Sequence, residues 1–204
     1  MKRLFLTRHG ESEWNVLKKI QGQQNVALTD WGRSQARLIG ERLIDERIHS
    51  IFSSDLDRAY DTARIIADIL NIDVHPMPEL REINFGKWEG VSYEDMNTIS
   101  SEEILTWRKT PEKLNVDGAE TLKELQTRAM SAVDKIMDTS DRADILLVSH
   151  SATLKTIILK LLDMKLSNFK NITLNNAGLT IIEFRDYNRV LTLLNDTNHM
   201  KNPL

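Results

Sequence analysis

The stretch Asp144-Ile145-Leu146-Leu147-Val148-Ser149-His150-Ser151 decides the fold. Ile145 to Val148 are apolar without alternation, the pattern of a strand buried on both faces by helices, as parallel strands are. The run Thr153–Leu162 then continues at helical spacing, so the chain passes from strand to helix with His150 near the junction. In open α/β sheets ligands meet the carboxyl ends of the strands, which makes that junction a position for chemistry.

Working outward, further strand-like runs occur at Arg3–Thr7, Ile51–Ser54, Leu179–Phe184 and Val190–Asn195. Thr29 is a good N-cap, and Ala36, Ile39, Leu43 and Ile44 recur after it at helical spacing, as do Ala59, Ala63, Ile66, Ala67 and Leu70 after Ser54. In Glu120–Arg142 the charges read as the solvated face of a long helix, with Leu122, Leu125, Ala129, Val133 and Ile136 inward. The polar connection Arg185–Arg189 reads as a hairpin turn. Together these predict an α/β protein: a single-domain three-layer α/β/α sandwich over residues 1–204, its sheet mainly parallel with an antiparallel edge. Residues 87–118 are less regular, carry Trp88, Tyr93, Met96, Trp107, Arg108 and Pro111, and read as a partly helical, lid-like insertion.

Composition narrows the class. A chain of 204 residues buries a full core without staples, and no repeat or low-complexity tract divides it. A net charge of -3 gives no general pull toward nucleic acid or anionic membrane, so neither is expected as a partner and any attraction for anions is local. The chain has no cysteine, which excludes disulfides, thiolate metal sites and a cysteine nucleophile and fits a reducing, cytoplasmic setting. The start Met1-Lys2-Arg3 is basic, but the apolar stretch after it ends at Thr7, too soon for a signal peptide. Composition sets no oligomeric state.

Four further features concern anion chemistry. Arg8, His9 and Gly10 directly follow the apolar run Leu4-Phe5-Leu6, and an arginine fork suits phosphate while a neutral imidazole is a nucleophile near neutral pH. His150 follows the central run as His9 follows the first, and histidines at the ends of two parallel strands can converge. Arg58 lies early in the helix after Ser54, where free amides also favour an anion; Asp55, Asp57 or Asp61 would equally offset its charge. Glu82 precedes an aromatic and glycine-rich stretch that would favour its protonated form, although pairing with Arg81 reads as well, and spacing does not choose it over Glu79, Glu89 or Asp55.

The blocks Leu6-Thr7-Arg8-His9-Gly10-Glu11-Ser12-Glu13-Trp14-Asn15, Gln21-Gly22 with Leu28-Thr29 and Gly32, Ser53-Ser54-Asp55-Leu56-Asp57-Arg58-Ala59 with Thr62-Ala63, Leu80-Arg81-Glu82 through Gly90, and Val148-Ser149-His150 resemble the histidine phosphatase superfamily, also called phosphoglycerate mutase-like. The likeness runs over nearly the full length and is nearer to the shorter phosphatase members. It implies hydrolysis of small phosphorylated metabolites through a phosphohistidine on His9, with Arg8, Arg58 and His150 around the phosphoryl group and Glu82 as proton donor. Asn15, Gln21 and Gly22 are implied as substrate contacts. No metal and no cofactor are implied. Two cationic arginines beside His9 would lower its pKa and keep it nucleophilic.

The chain departs from the family in two places. Ser151-Ala152 stand where two glycines are usual, which makes Ser151 a candidate substrate contact. The loop after Gly22 runs Gln23-Gln24-Asn25-Val26-Ala27, without the usual tryptophan, aspartate and proline. Three rivals stand beside the phosphatase: a phosphoglycerate mutase, a non-catalytic phospho-ligand module, and a metallohydrolase using His9, His150 and a carboxylate. Two arginines oppose a divalent cation there, and no His-Glu-x-x-His spacing is present. His49, His75 and His199 read as surface or loop residues, and Trp31, Trp88 and Trp107 as packing residues.

Overall fold

Asp144–Ser149 is buried at all six positions, because strands flank it on both edges and helices cover both faces. The computed structural model describes residues 2–99, 101–138 and 144–201. Its strands are β1 (Lys2–Arg8), β2 (Ile48–Ser53), β3 (Val74–Pro76), β4 (Asp144–Ser149), β5 (Leu179–Phe184) and β6 (Arg189–Asp196). They form a six-stranded sheet in the order β3-β2-β4-β1-β5-β6. The first four in that order run parallel, whereas β5 is antiparallel to β1 and β6 to β5. Thr7 pairs with Val148 and Arg8 with Ser149, so His9 and His150 leave the sheet side by side.

The helices are α1 (Glu13–Val16), α2 (Asp30–Arg42), α3 (Asp57–Leu70), α4 (Tyr93–Ile99), α5 (Ser101–Lys109), α6 (Leu122–Asp138) and α7 (Ser151–Leu161). Alternate residues of a strand face opposite sides of the sheet. Phe5, Ile51, Leu146 and Val148 therefore meet Ile39, Ala59, Ala63 and Ile66 of α2 and α3 on one face. Leu4, Leu6, Ile145 and Leu147 meet Ala129, Val133 and Ile136 of α6 and Leu154 and Ile157 of α7 on the other. Each large aliphatic buried this way contributes roughly 1.5–3 kcal/mol, and these two layers supply most of the driving force for the architecture.

Thr29 caps α2 as expected, its hydroxyl accepting from the Gly32 amide at 3.0 Å. The loop after β1 lies hard against that first turn: a Cβ on Gly10 would sit 2.3 Å from the Gly32 carbonyl oxygen, a distance only glycine avoids. Residues 87–118 build a satellite core of their own, in which Trp88, Met96, Ile104 and Val116 pack with Ile20.

Two points of the sequence reading need amendment, and a third is described only in part. β3 has no counterpart in the sequence reading, because three residues ending in His75-Pro76 show no periodicity and proline is tolerated at a sheet edge. Ile44 does not face the core: α2 ends at Arg42, Leu43 caps it, and Ile44 is 59% exposed. The long helix expected as far as Arg142 is described to Asp138, and residues 139–143 lie outside the described residues.

Candidate active site

His9 follows β1, its amide bonded to the Ser149 carbonyl at 2.9 Å, so the β1–β4 ladder itself sets the residue's height. The ring is buried, and Nδ1 lies 2.6 Å from the Gly10 carbonyl oxygen. A carbonyl only accepts, so Nδ1 carries the proton and Nε2 of the neutral ring holds the lone pair. Burial, then the positive charges of Arg58 and Arg8, hold the imidazole well below its ordinary pKa, which leaves it unprotonated at neutral pH.

The two guanidinium groups are tied through backbone carbonyls. Arg8 donates to Leu174 O at 2.9 Å, and Arg58 donates to Gly22 O and Gln24 O, both at 2.7 Å. Sequence reading offered Asp55, Asp57 or Asp61 as partners for Arg58. Of these, Asp57 acts on Arg58 by its charge, whereas Asp55 forms a two-point ion pair with Arg81 and Asp61 lies 3.7 Å from Arg33. Neutral carbonyls leave both positive charges available, and burial lowers the Arg58 pKa to about 10. Each guanidinium also keeps a buried Nε–H without a partner among the described residues.

His150 caps the start of α7, and its ring centroid lies 5.2 Å from that of His9. Its Nε2 is 2.8 Å from the Ser54 hydroxyl, and its buried Nδ1 has no hydrogen-bond partner among the described residues. Burial, then Arg58, His9 and Arg8, hold it well below its ordinary pKa. Glu82 does not pair with Arg81; its carboxylate sits on the amino end of α7. Oε1 accepts from the Ile83 and Thr153 amides at 3.1 and 3.2 Å, whereas Oε2 accepts from the Ala152 amide at 3.3 Å.

A cavity of about 420 Å³ opens over these groups. Arg8, His9, Asn15, Gln21, Gly22, Arg58, Glu82 and Ser151 line it, while the buried His150 does not. Asn15 is oriented by its own oxygen, which accepts from the Ser12 amide at 3.0 Å and from Asn176 at 3.1 Å and leaves its amide nitrogen for the cavity. Phe85, Trp88, Trp107 and Phe169 form the aromatic wall, so the two tryptophans both pack and line the site. Among the described residues no group of three or more His, Cys, Asp or Glu is placed to hold a metal ion. None of the described helices is long and apolar enough to cross a membrane.

Several contributors escaped the sequence reading. Ser54 orients His150, Asn176 donates to the His9 carbonyl at 2.9 Å, and Lys155 lines the cavity from α7. Arg128, read as part of a solvated face, is half-buried and bonds the carbonyls of Glu79 and Arg81 and the carboxylate of Glu120. Of these, Lys155 alone had a sequence signal: it is four residues after Ser151 and so on the same helical face.

Fold and site together define an α/β enzyme of phosphoryl transfer. Residues 4–197 match the model of the histidine phosphatase superfamily (branch 1), and the chain belongs to that superfamily. It is 30% identical over 200 residues to phosphoserine phosphatase 1 of Hydrogenobacter thermophilus, covering 98% of this chain and 95% of that one. It is 32% identical over 212 residues to a Yersinia pestis protein named "Probable phosphoglycerate mutase GpmB", covering 100% and 97%. Among solved structures, Bacillus stearothermophilus YhfR superposes with a TM-score of 0.93 at 30% identity, covering 98% of this chain and all of that one. The protein is a hydrolase of the phosphatase class, acting on small phosphorylated metabolites.

Proposed function

We propose that hydrolysis proceeds through a phosphohistidine on His9 Nε2. The observation that carries this reading is the fixed tautomer: Nδ1–H is spent on Gly10, and the remaining lone pair belongs to a neutral ring between two guanidinium groups. Nε2 attacks phosphorus in line while Arg8 and Arg58 neutralise the non-bridging oxygens, a task of positioning and electrostatics. With the Ser54 hydroxyl donating to Nε2, His150 carries its proton on Nδ1; buried beside His9 and outside the cavity lining, it meets the phosphoryl group only once that group is bonded to His9.

Glu82 protonates the departing ester oxygen. Its Oε2, which has the single, longer bond to Ala152, is the oxygen that takes the proton, because Oε1 is already engaged by two amides. Water then gives a proton to Glu82 and attacks the phosphohistidine, releasing phosphate and restoring His9. Asn15, Gln21, Gly22 and Ser151 contact the substrate in this reading. A cavity of about 420 Å³ fits a small ester. Such esters are charged and do not cross bilayers, so we place the protein in the cytoplasm, and residues 87–118 act as the lid.

The mutase-named relative motivates the one alternative fate, return of the phosphoryl group to a bound sugar acid. Acid-quenched reactions of wild type with aryl and alkyl phosphates should contain acid-labile phosphohistidine and release phosphate. His9→Ala should form none and turn over at least about a thousandfold more slowly. Wild-type turnover without a phosphoenzyme would sink the mechanism. Interconversion of phosphoglycerates without phosphate release would favour the mutase.

A further inference from the structure

The bond from His9 Nδ1 to the Gly10 carbonyl sets which ring nitrogen is free to react, so whatever aims that carbonyl bears on the nucleophile. The peptide carrying this oxygen is held from α2 on its amide side, where Glu11 N donates to Gln35 Oε1 at 2.8 Å. On its oxygen side it accepts from the side chain of Asn176 at 3.2 Å.

The sheet brings Asn176 to this place. Thr7 lies opposite Leu179 in the antiparallel β1–β5 pair, so residues 176–178, which precede β5, run past residues 8–10, which follow β1. Ala177 lies in the left-handed region at φ +53°, and its amide donates to the Arg8 and His9 carbonyls at 3.0 and 3.3 Å. Asn195 Oδ1 accepts from the Asn175 amide at 2.7 Å and secures the other side of the turn. The Asn176 side chain is thereby aimed at three oxygens: His9 O at 2.9 Å, Gly10 O at 3.2 Å and Asn15 Oδ1 at 3.1 Å. Carbonyl oxygens only accept, and Asn15 Oδ1 already receives the Ser12 amide, so the nitrogen of the Asn176 amide is the atom that faces all three. Asn176 does not line the cavity, and any effect it has on the reaction passes through these neighbours.

We infer that Asn176 is a positioning residue for the nucleophile: its side-chain N–H groups hold the Gly10 carbonyl against His9 Nδ1 and so keep the ring in the tautomer whose Nε2 is unprotonated. The same amide holds Asn15, which ties the aim of the nucleophile to that of a cavity residue. The inference rests on the phosphohistidine reading and adds what fixes the reactive nitrogen. A purely structural asparagine would only close residues 175–178 on the end of β1.

The test reads the His9 ring directly. In two-bond proton–nitrogen correlation spectra of 15N-labelled protein at about pH 7.5, wild type should show His9 with Nδ1 protonated and Nε2 not, the signals being assigned by their loss in His9→Gln. Asn176→Ala, and the isosteric Asn176→Leu, should draw the two nitrogen shifts toward each other as the Nε2–H form gains population, and should lower kcat about 10- to 100-fold. Asn15→Ala separates the two routes: adding Asn176→Ala to it should still lower kcat by about tenfold. A wild-type ring protonated on Nε2 overturns the proposal at the outset. Unmoved His9 shifts in both Asn176 variants overturn it whatever their Tm or kcat, and so does a double variant no slower than Asn15→Ala alone. The spectra need no turnover, so a wild type that forms no phosphoenzyme would sink the phosphohistidine mechanism while the shifts still decide what Asn176 does.

Discussion

Gly22 fixes Arg58, and through it the charge beside His9. Its φ of +51° lies in the left-handed region, and a Cβ there would fall 1.9 Å from Glu89 Oε1. That carboxylate cannot easily withdraw, since it accepts from the Gln23 and Phe85 amides at 3.0 and 3.1 Å and from the Gln24 side chain at 2.8 Å. The Gly22 carbonyl meanwhile receives one arm of Arg58 at 2.7 Å. Gly22→Ala should therefore lower unfolding free energy by about 1–3 kcal/mol. It should also reduce kcat/KM beyond that loss, because the displaced carbonyl carries the guanidinium with it. Urea unfolding and steady-state kinetics on the same preparation check both, and an alanine variant as stable and active as wild type would remove Gly22 from the account.

At the scale of elements, α6 does more than cover the sheet. Arg128 projects from it to the turn before Glu82, donating to the Glu79 and Arg81 carbonyls at 2.7 and 3.0 Å and to both oxygens of Glu120. One guanidinium thus closes the peptide that presents Glu82 to the amino end of α7. Arg128→Lys retains the charge but cannot span these acceptors, and should cost roughly 2–3 kcal/mol. If Glu82 is the proposed proton donor, hydrolysis of alkyl esters, the poorer leaving groups, should slow more than hydrolysis of aryl esters. Equal slowing of both would confine Arg128 to a purely structural role. The same helix marks the boundary of what the sequence could disclose. Leu125, Ala129 and Val133 announce its buried stripe by spacing, as Ile145 to Val148 announce β4, because burial repeats with the period of the element. Arg128, Ser54 and Asn176 reach the turn before Glu82, His150 and His9 through bonds that span 46 or more residues of chain, and such isolated contacts leave no period. His9 and His150 were legible as strand ends; that their strands are neighbours is a property of the order β2-β4-β1, which no local pattern contains.

For the whole molecule, the buried histidine pair couples folding to pH. His9 and His150 are both held well below their ordinary pKa by burial and by the arginines, while in the unfolded chain each titrates near its ordinary value of 6.5. Between the folded and unfolded pKa values the unfolded chain binds more protons, so stability rises with pH in that interval. The sign is therefore fixed: the histidine contribution is fully present above about pH 6.5 and is lost as the pH falls below it toward the folded values. Each histidine adds a slope of up to about 1.4 kcal/mol per pH unit there. The carboxylates held low by ion pairs, Asp55 by Arg81 and Glu79 by Lys135, add a loss of their own at more acidic pH, below the ordinary carboxylate range. Unfolding free energy measured from pH 7.5 to pH 5 should accordingly fall along a curve whose slope is reduced by about a third to a half in His9→Gln, the rest coming from His150 and from His199, which burial also holds low. A wild-type profile flat between pH 6.5 and pH 5, or a His9→Gln profile parallel to it, would mean that the ring is charged in the folded protein and unfit for nucleophilic attack.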